Sequence, residues 1–152
     1  MQKLLVLAVL MLLLCGGFPV LAKVPVMAGE DVQSEARRGF EEILDLWRDG
    51  RREELYRRTM ASGNHSLQSF VGKLASSDCR PACCWEKMQD VTITVKDAGK
   101  VVVHAKIGME GHNGSTIYVT KKFKLEKEDG CWRISQTDIL SLAGNGKKKA
   151  RR

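Results

Sequence analysis

Between Ser34 and Arg48 the apolar residues Ala36, Phe40, Ile43, Leu44 and Trp47 recur at steps of three and four, with Glu35, Arg37, Arg38, Glu41, Glu42, Asp45 and Arg48 filling the positions between. That spacing places one apolar stripe on an α-helix, opened at Ser34 and ended by Asp49-Gly50. A short second helix is predicted over RREELYRRTM, with Leu55, Tyr56 and Met60 inward. Ala61-Ser62-Gly63-Asn64 then turns the chain. Ser66 caps a third helix carrying Leu67, Phe70, Val71 and Leu74 on one side.

Beyond CRPACC the period changes from helical to alternating. Val91, Ile93 and Val95 alternate with Thr92, Thr94 and Lys96, and Asp97-Ala98-Gly99 turns. Val101, Val103, Ala105, Ile107 and Met109 form the next alternating set, followed by a turn at Gly111 to Ser115. Ile117, Val119, Phe123 and Leu125 share a face on which Lys121 is out of pattern, and Asp129-Gly130 leads into Cys131-Trp132-Arg133-Ile134. These are four antiparallel strands. The fold class is α+β, with N-terminal helices packed on one face of the sheet.

The first residues stand outside this domain. MQKLLVLAVLMLLLCGGFPVLAK has one charge, Lys3, then an apolar run from Leu4 to Leu14 broken by Gly16, Gly17 and Pro19. Val20-Leu21-Ala22 fits a signal-peptidase site, so residues 1–22 read as a cleaved export signal. Val26-Met27-Ala28 offers a second cut, and an uncleaved anchor is the competing reading because Leu4 to Ala22 carries no charge. The expected organisation is a signal at 1–22, a flexible lead at 23–33, one domain at 34–142 and a basic disordered tail at 143–152. The expected location is periplasmic or extracellular.

Export changes what the cysteines mean. Cys15 leaves with the signal, and Cys79, Cys83, Cys84 and Cys131 remain. An even count in an oxidising compartment reads as two disulfides. Adjacent Cys83–Cys84 pairing is disfavoured by ordinary disulfide geometry. Cys79 is then expected to pair with Cys83 or Cys84, and the other of those two with Cys131. The long bridge would stabilise by about 4 kcal/mol. Paired zinc knuckles and a Cys-x-x-Cys redox motif are both missing, so the cysteines imply neither a metal nor redox catalysis.

The formal charge is +7. Removing residues 1–22 removes Lys3 alone, leaving 24 Lys and Arg against 18 acids, a net +6. KKKARR, with Lys147, Lys148, Lys149, Arg151 and Arg152, holds five of those positives, so the rest of the chain is near +1. The tail is therefore the candidate contact with an anionic surface. It has no interleaved aromatic residue, so specific nucleic-acid reading is not expected. Two glycosylation triplets, Asn64-His65-Ser66 and Asn113-Gly114-Ser115, would matter only in a eukaryotic secretory pathway.

The helical segments LDLWRDG, REELYRRTMASG and HSLQSFVGKL, closed by DGCWRI, resemble nuclear transport factor 2-like domains, also called cystatin-like or ketosteroid-isomerase-like. The resemblance spans residues 34–142. It implies a curved four-stranded sheet wrapped with helices into a cone, whose pocket candidates would be Trp47, Tyr56, Phe70, His104 and Trp132. Such folds host enzymes, ligand binders and protein-binding modules alike.

Chemistry is sparse. The three histidines, His65, His104 and His112, are scattered without matching carboxylates, and no nucleophile elbow or phosphate loop occurs. No catalytic residue, metal or cofactor is assigned. The expected function is an exported, disulfide-stabilised, non-catalytic domain binding a small ligand or a protein partner. The alternatives are a pocket enzyme of the isomerase or dehydratase type using His104 or Tyr56, and a surface-adhesion module acting through the tail.

Overall fold

The structure is a computed structural model that describes residues 28–60 and 65–149, with side chains described from 31 to 60 and from 65 to 144. The signal at 1–22, and Arg151 and Arg152, lie outside the described residues, as do the side chains of Lys147, Lys148 and Lys149.

The elements in order are α1 (Ala28–Arg48), α2 (Arg52–Arg57), β1 (Thr59–Met60), α3 (Leu67–Ala75), β2 (Cys79–Pro81), a single 3-10 turn (Cys84–Glu86), β3 (Met88–Asp97), β4 (Lys100–Gly111), β5 (Thr116–Glu128), β6 (Cys131–Ser135) and α4 (Gln136–Lys149). The α+β class holds. The sheet is not the expected four-stranded antiparallel cone: it is an open, mixed sheet of six strands. β3 to β6 form the antiparallel meander expected from the alternating pattern. β1 adds in parallel to the far edge of β6, Thr59 opposite Ile134. β2 adds to β4 at Met109 to Gly111, beyond the stretch that β3 occupies.

Side-chain alternation builds the core. Val101, Val103, Ala105, Ile107 and Met109 of β4 all face inward and are buried. Phe123 and Leu125 of β5, opposite Val103 and Val101, join them. The α1 stripe, Ala36, Phe40, Ile43, Leu44 and Trp47, packs into this layer, and the Phe40 and Phe123 rings meet at 4.9 Å. Gly39 lies directly on Trp132: a Cβ there would come within 2.8 Å of two Trp132 atoms, so only glycine lets α1 approach β6 this closely. The space between helices and sheet is thus filled with side chains.

α1 begins at Ala28, so the segment expected to be a flexible lead is helical from that residue on. The larger correction is at the other end. Residues 136–149 form a helix where a strand end and a disordered tail were expected. Ile139, Leu142 and Ala143, at helical spacing, are its buried face. This helix explains Lys121. Its position opposite Ala105 turns it inward, and its Nζ meets Ser141 Oγ and Asp138 Oδ1 on α4, both at 2.7 Å. An inward lysine is tolerated when it is paired. Lys121→Met removes that tie, and the expected loss is about 0.5–1 kcal/mol, the ordinary worth of a partly exposed ion pair. It is read from the urea midpoint and from faster amide exchange at Ile139 to Ala143.

Candidate ligand-binding cavity

The ends of five elements meet at one corner of the molecule and enclose a cavity of about 520 Å³. Its walls come from Trp47 to Gly50 at the end of α1, Arg52 opening α2, Leu74 to Arg80 across the end of α3 and the start of β2, and Glu110 to Gly114 at the β4–β5 turn. Trp47, Leu74 and Cys79 supply an apolar side. Three arginines, Arg48, Arg52 and Arg80, and His112 supply the polar side with Asp49, Asp78 and Glu110.

The arginines are not equivalent. Glu110 sits between two of them, 3.6 Å from Arg48 and 3.4 Å from Arg80. Arg48 also donates to the Pro81 carbonyl at 3.1 Å, which ties α1 to β2. Arg52 has no such partner: its Nε is buried and meets no acceptor among the described residues. A guanidinium only donates, and a buried N–H left without an acceptor costs roughly 1–3 kcal/mol. Arg52 is thus the one arginine of the cavity outside an ion pair among the described residues, in a lining that also carries Asp49 and Asp78.

A second hollow of about 420 Å³ lies over α1 and α2. Its charges are largely answered internally: Arg51 with Glu54, Arg58 with Glu42, and Lys87 with Asp45. The Arg51–Glu54 contact raises the arginine and lowers the carboxyl from their ordinary pKa values, chiefly through the hydrogen bond between them.

The residues expected to line a cone pocket do not converge. Trp47 does face the cavity. Phe70 and Trp132 are fully packed core residues. Tyr56 is half-buried, edge-on to Phe70 at 5.6 Å, and its hydroxyl donates to the His65 carbonyl. His104 is exposed on the outer face of the sheet, between Thr92 and Lys122, and lines neither cavity, so its place as a pocket residue is corrected. Alternation had left its side open; the burial of Val103 and Ala105 decides it. His65 contacts Lys73 at 3.2 Å, and His112 stands on the exposed turn at the cavity rim.

The outer face is basic in its own right. His104 and Lys106 on β4 and Lys122 and Lys124 on β5 point away from the core, so positive charge is not confined to the tail. Lys106 lies 4.7 Å over the Tyr118 ring. Tyr118 donates to Glu86 at 3.1 Å, and desolvation, then that bond, pushes its hydroxyl above the ordinary tyrosine pKa.

The register separates the cysteines of the expected long bridge. Cys79 lies opposite Gly111 at one end of β4, and Ala82, beside Cys83, donates to the Gly108 carbonyl. Cys131 lies opposite Glu128, past the Lys100 end of the same strand. Eight residues of strand between Gly108 and Lys100 span roughly 26 Å, whereas a disulfide needs Cα atoms within about 7 Å. The four cysteines among the described residues are free thiols, Cys79 buried and Cys83, Cys84 and Cys131 exposed. The helical layer is tied to the sheet by packing and by Arg48, Lys87 and Lys127, whose partners are the Pro81 carbonyl, Asp45 and Glu35. Among the described residues no three His, Cys, Asp or Glu side chains gather into a group able to hold a metal.

No family model matches the chain, and no curated protein does. Among solved structures, Aln2 from a Streptomyces species resembles it at 12% identity, over 80% of this chain and 99% of that one, with a TM-score of 0.49. That likeness is too distant to carry an argument about function.

Proposed function

We propose that this chain is an exported, non-catalytic binding domain of the nuclear transport factor 2-like kind, and that it holds a small anionic ligand in the corner cavity. The observation that carries this reading is Arg52: a guanidinium with a buried, partnerless Nε lining a 520 Å³ space with Trp47, Leu74 and Cys79. Ligand sites are typically concave, mostly apolar, and oriented by a few polar groups. A carboxylate or similar oxyanion would satisfy Arg52, and its apolar body would lie on the tryptophan side.

Binding is favoured over catalysis by the state of the nearby acids. Glu110 is held by two arginines, and His112, the cavity's histidine, is hydrogen-bonded to no carboxylate among the described residues. The test is a thermal-shift panel of short-chain carboxylates against the matching alcohols. Carboxylates are expected to raise the melting temperature and alcohols to leave it unchanged. Arg52→Gln is expected to weaken carboxylate binding by on the order of 10-fold or more, the worth of a charged hydrogen bond. Equal response to carboxylate and alcohol, or an Arg52→Gln protein that binds as the parent does, contradicts the reading.

One observation favours the surface-adhesion alternative: the basic outer face at His104, Lys106, Lys122 and Lys124. It would act together with the tail. Retention on anionic vesicles that persists after deletion of 147–152 and is lost in Lys122→Glu, Lys124→Glu would support the face; retention lost with the deletion alone would support the tail.

A further inference from the structure

Cys83 and Cys84 belong neither to the corner cavity nor to the core. Both are exposed. The other cysteines are separated from them: Cys79 is buried, its Sγ directed to the Ala143 carbonyl at 3.8 Å, and Cys131 lies past the opposite end of β4. The adjacent pair is therefore the one place on the described surface where two accessible thiols stand together.

We propose that Cys83 and Cys84 form a dithiol site for a trivalent arsenical, bound through both sulfurs. The backbone presents the pair in a fixed form. Cys84 has φ 58°, in the left-handed region that a residue with a Cβ enters only at a cost. The turn is pinned on both sides: Ala82 N–H donates to the Gly108 carbonyl at 2.9 Å, and Gly108 N–H donates to the Lys87 carbonyl at 3.3 Å. Lys87 is itself anchored, its Nζ 2.8 Å from both Asp45 carboxylate oxygens. The neighbouring Cys83 thiol is the main reason the Cys84 thiol is raised above its ordinary pKa.

The donor set selects the ligand. Among the described residues no third or fourth His, Cys, Asp or Glu gathers at the site, so they do not serve tetrahedral zinc. An aryl arsenoxide needs only two thiols. Two As–S bonds form as the arsenic–oxygen bond is lost. Both thiol protons leave with that oxygen as water, and arsenic stays trivalent, so no oxidant or reductant is required.

The test uses the full chain, reduced with a phosphine and desalted, then exposed to phenylarsine oxide in excess glutathione and weighed intact. One arsenical per chain is expected, surviving the monothiol and stripped by a dithiol such as dimercaptopropanol. Losing one of two linked contacts removes the gain from chelation, so Cys83→Ser and Cys84→Ser should each weaken retention by on the order of 10²-fold. Cys131→Ser should retain the adduct as the parent does. Melting curves that match the parent confirm that the exposed-site variants fold. A parent protein that loses the arsenical to glutathione, or single variants at 83 and 84 that keep it, would overturn the proposal. The cavity reading is independent of either result.

Discussion

Phe123→Ala is expected to lower the free energy of unfolding by about 3–5 kcal/mol, measured by urea denaturation. Phe123 is fully buried at the centre of β5, opposite Val103, with its ring 4.9 Å from that of Phe40. It joins α1 to the sheet, so truncation leaves a hole faced by a helix that cannot move inward: Gly39 is already in contact with Trp132. A domain of this size has about 5–15 kcal/mol in total, so much of it would be lost. The matching control is Leu67→Ala on the exposed side of α3, where the expected change is within about 0.5 kcal/mol. A Phe123→Ala protein that loses less than about 1 kcal/mol would mean that the interior is not packed as described.

Gly108→Ala should be comparably severe for a different reason. Gly108 sits in the middle of β4, where the segment after β2 crosses it. An added Cβ would lie 2.2 Å from the Glu86 carbonyl oxygen and 3.3 Å from the Ala82 Cβ. Both neighbours are hard to displace: Ala82 is buried and hydrogen-bonded to Gly108, and Glu86 belongs to the 3-10 turn. The substitution must push that turn off the sheet, at about 3 kcal/mol or more, the upper part of the range for overpacking. Amide exchange separates this from general loosening: Ala82 and Gly108 should lose protection first, while Val101 and Val103 keep theirs. Full protection at Ala82 in a stable Gly108→Ala protein would show that the turn does not press on β4.

The elements that could be read in the sequence are those long enough to repeat a pattern. The α1 face shows its period through five apolar residues, all of them buried, and the four strands of the meander show theirs by alternation. β1 and β2, of two and three residues, are too short to display a period of two; they form because Arg58 and Ala82 find backbone partners at Ile134 and Gly108. α4 was obscured by Gly144-Asn145-Gly146 and by the lysines after it, which resemble a helix end and a solvated tail. Its signal was on another element: an apolar strand face interrupted by Lys121 requires an acceptor from a further layer, and Asp138 supplies it.

The cavity was the least legible feature. Its walls come from three stretches far apart in sequence, and Arg52 lies in a run of charged residues that reads as ordinary solvated helix surface. Only the meeting of the ends of α1, α3, β2 and β4 shows that this arginine has no partner. A cone would have its pocket at Phe70, His104 and Trp132, but Phe70 and Trp132 are packed into the core and the space lies at the corner.

The most direct test of the binding reading is an amide chemical-shift titration of the nitrogen-labelled protein with an amphipathic carboxylate such as hexanoate. Saturable shifts are predicted at Trp47 to Gly50, Ser77 to Arg80 and Glu110 to Gly114, and their loss in Arg52→Gln. Shifts confined to the outer face around His104, Lys122 and Lys124, or no saturable shift at all, would contradict it.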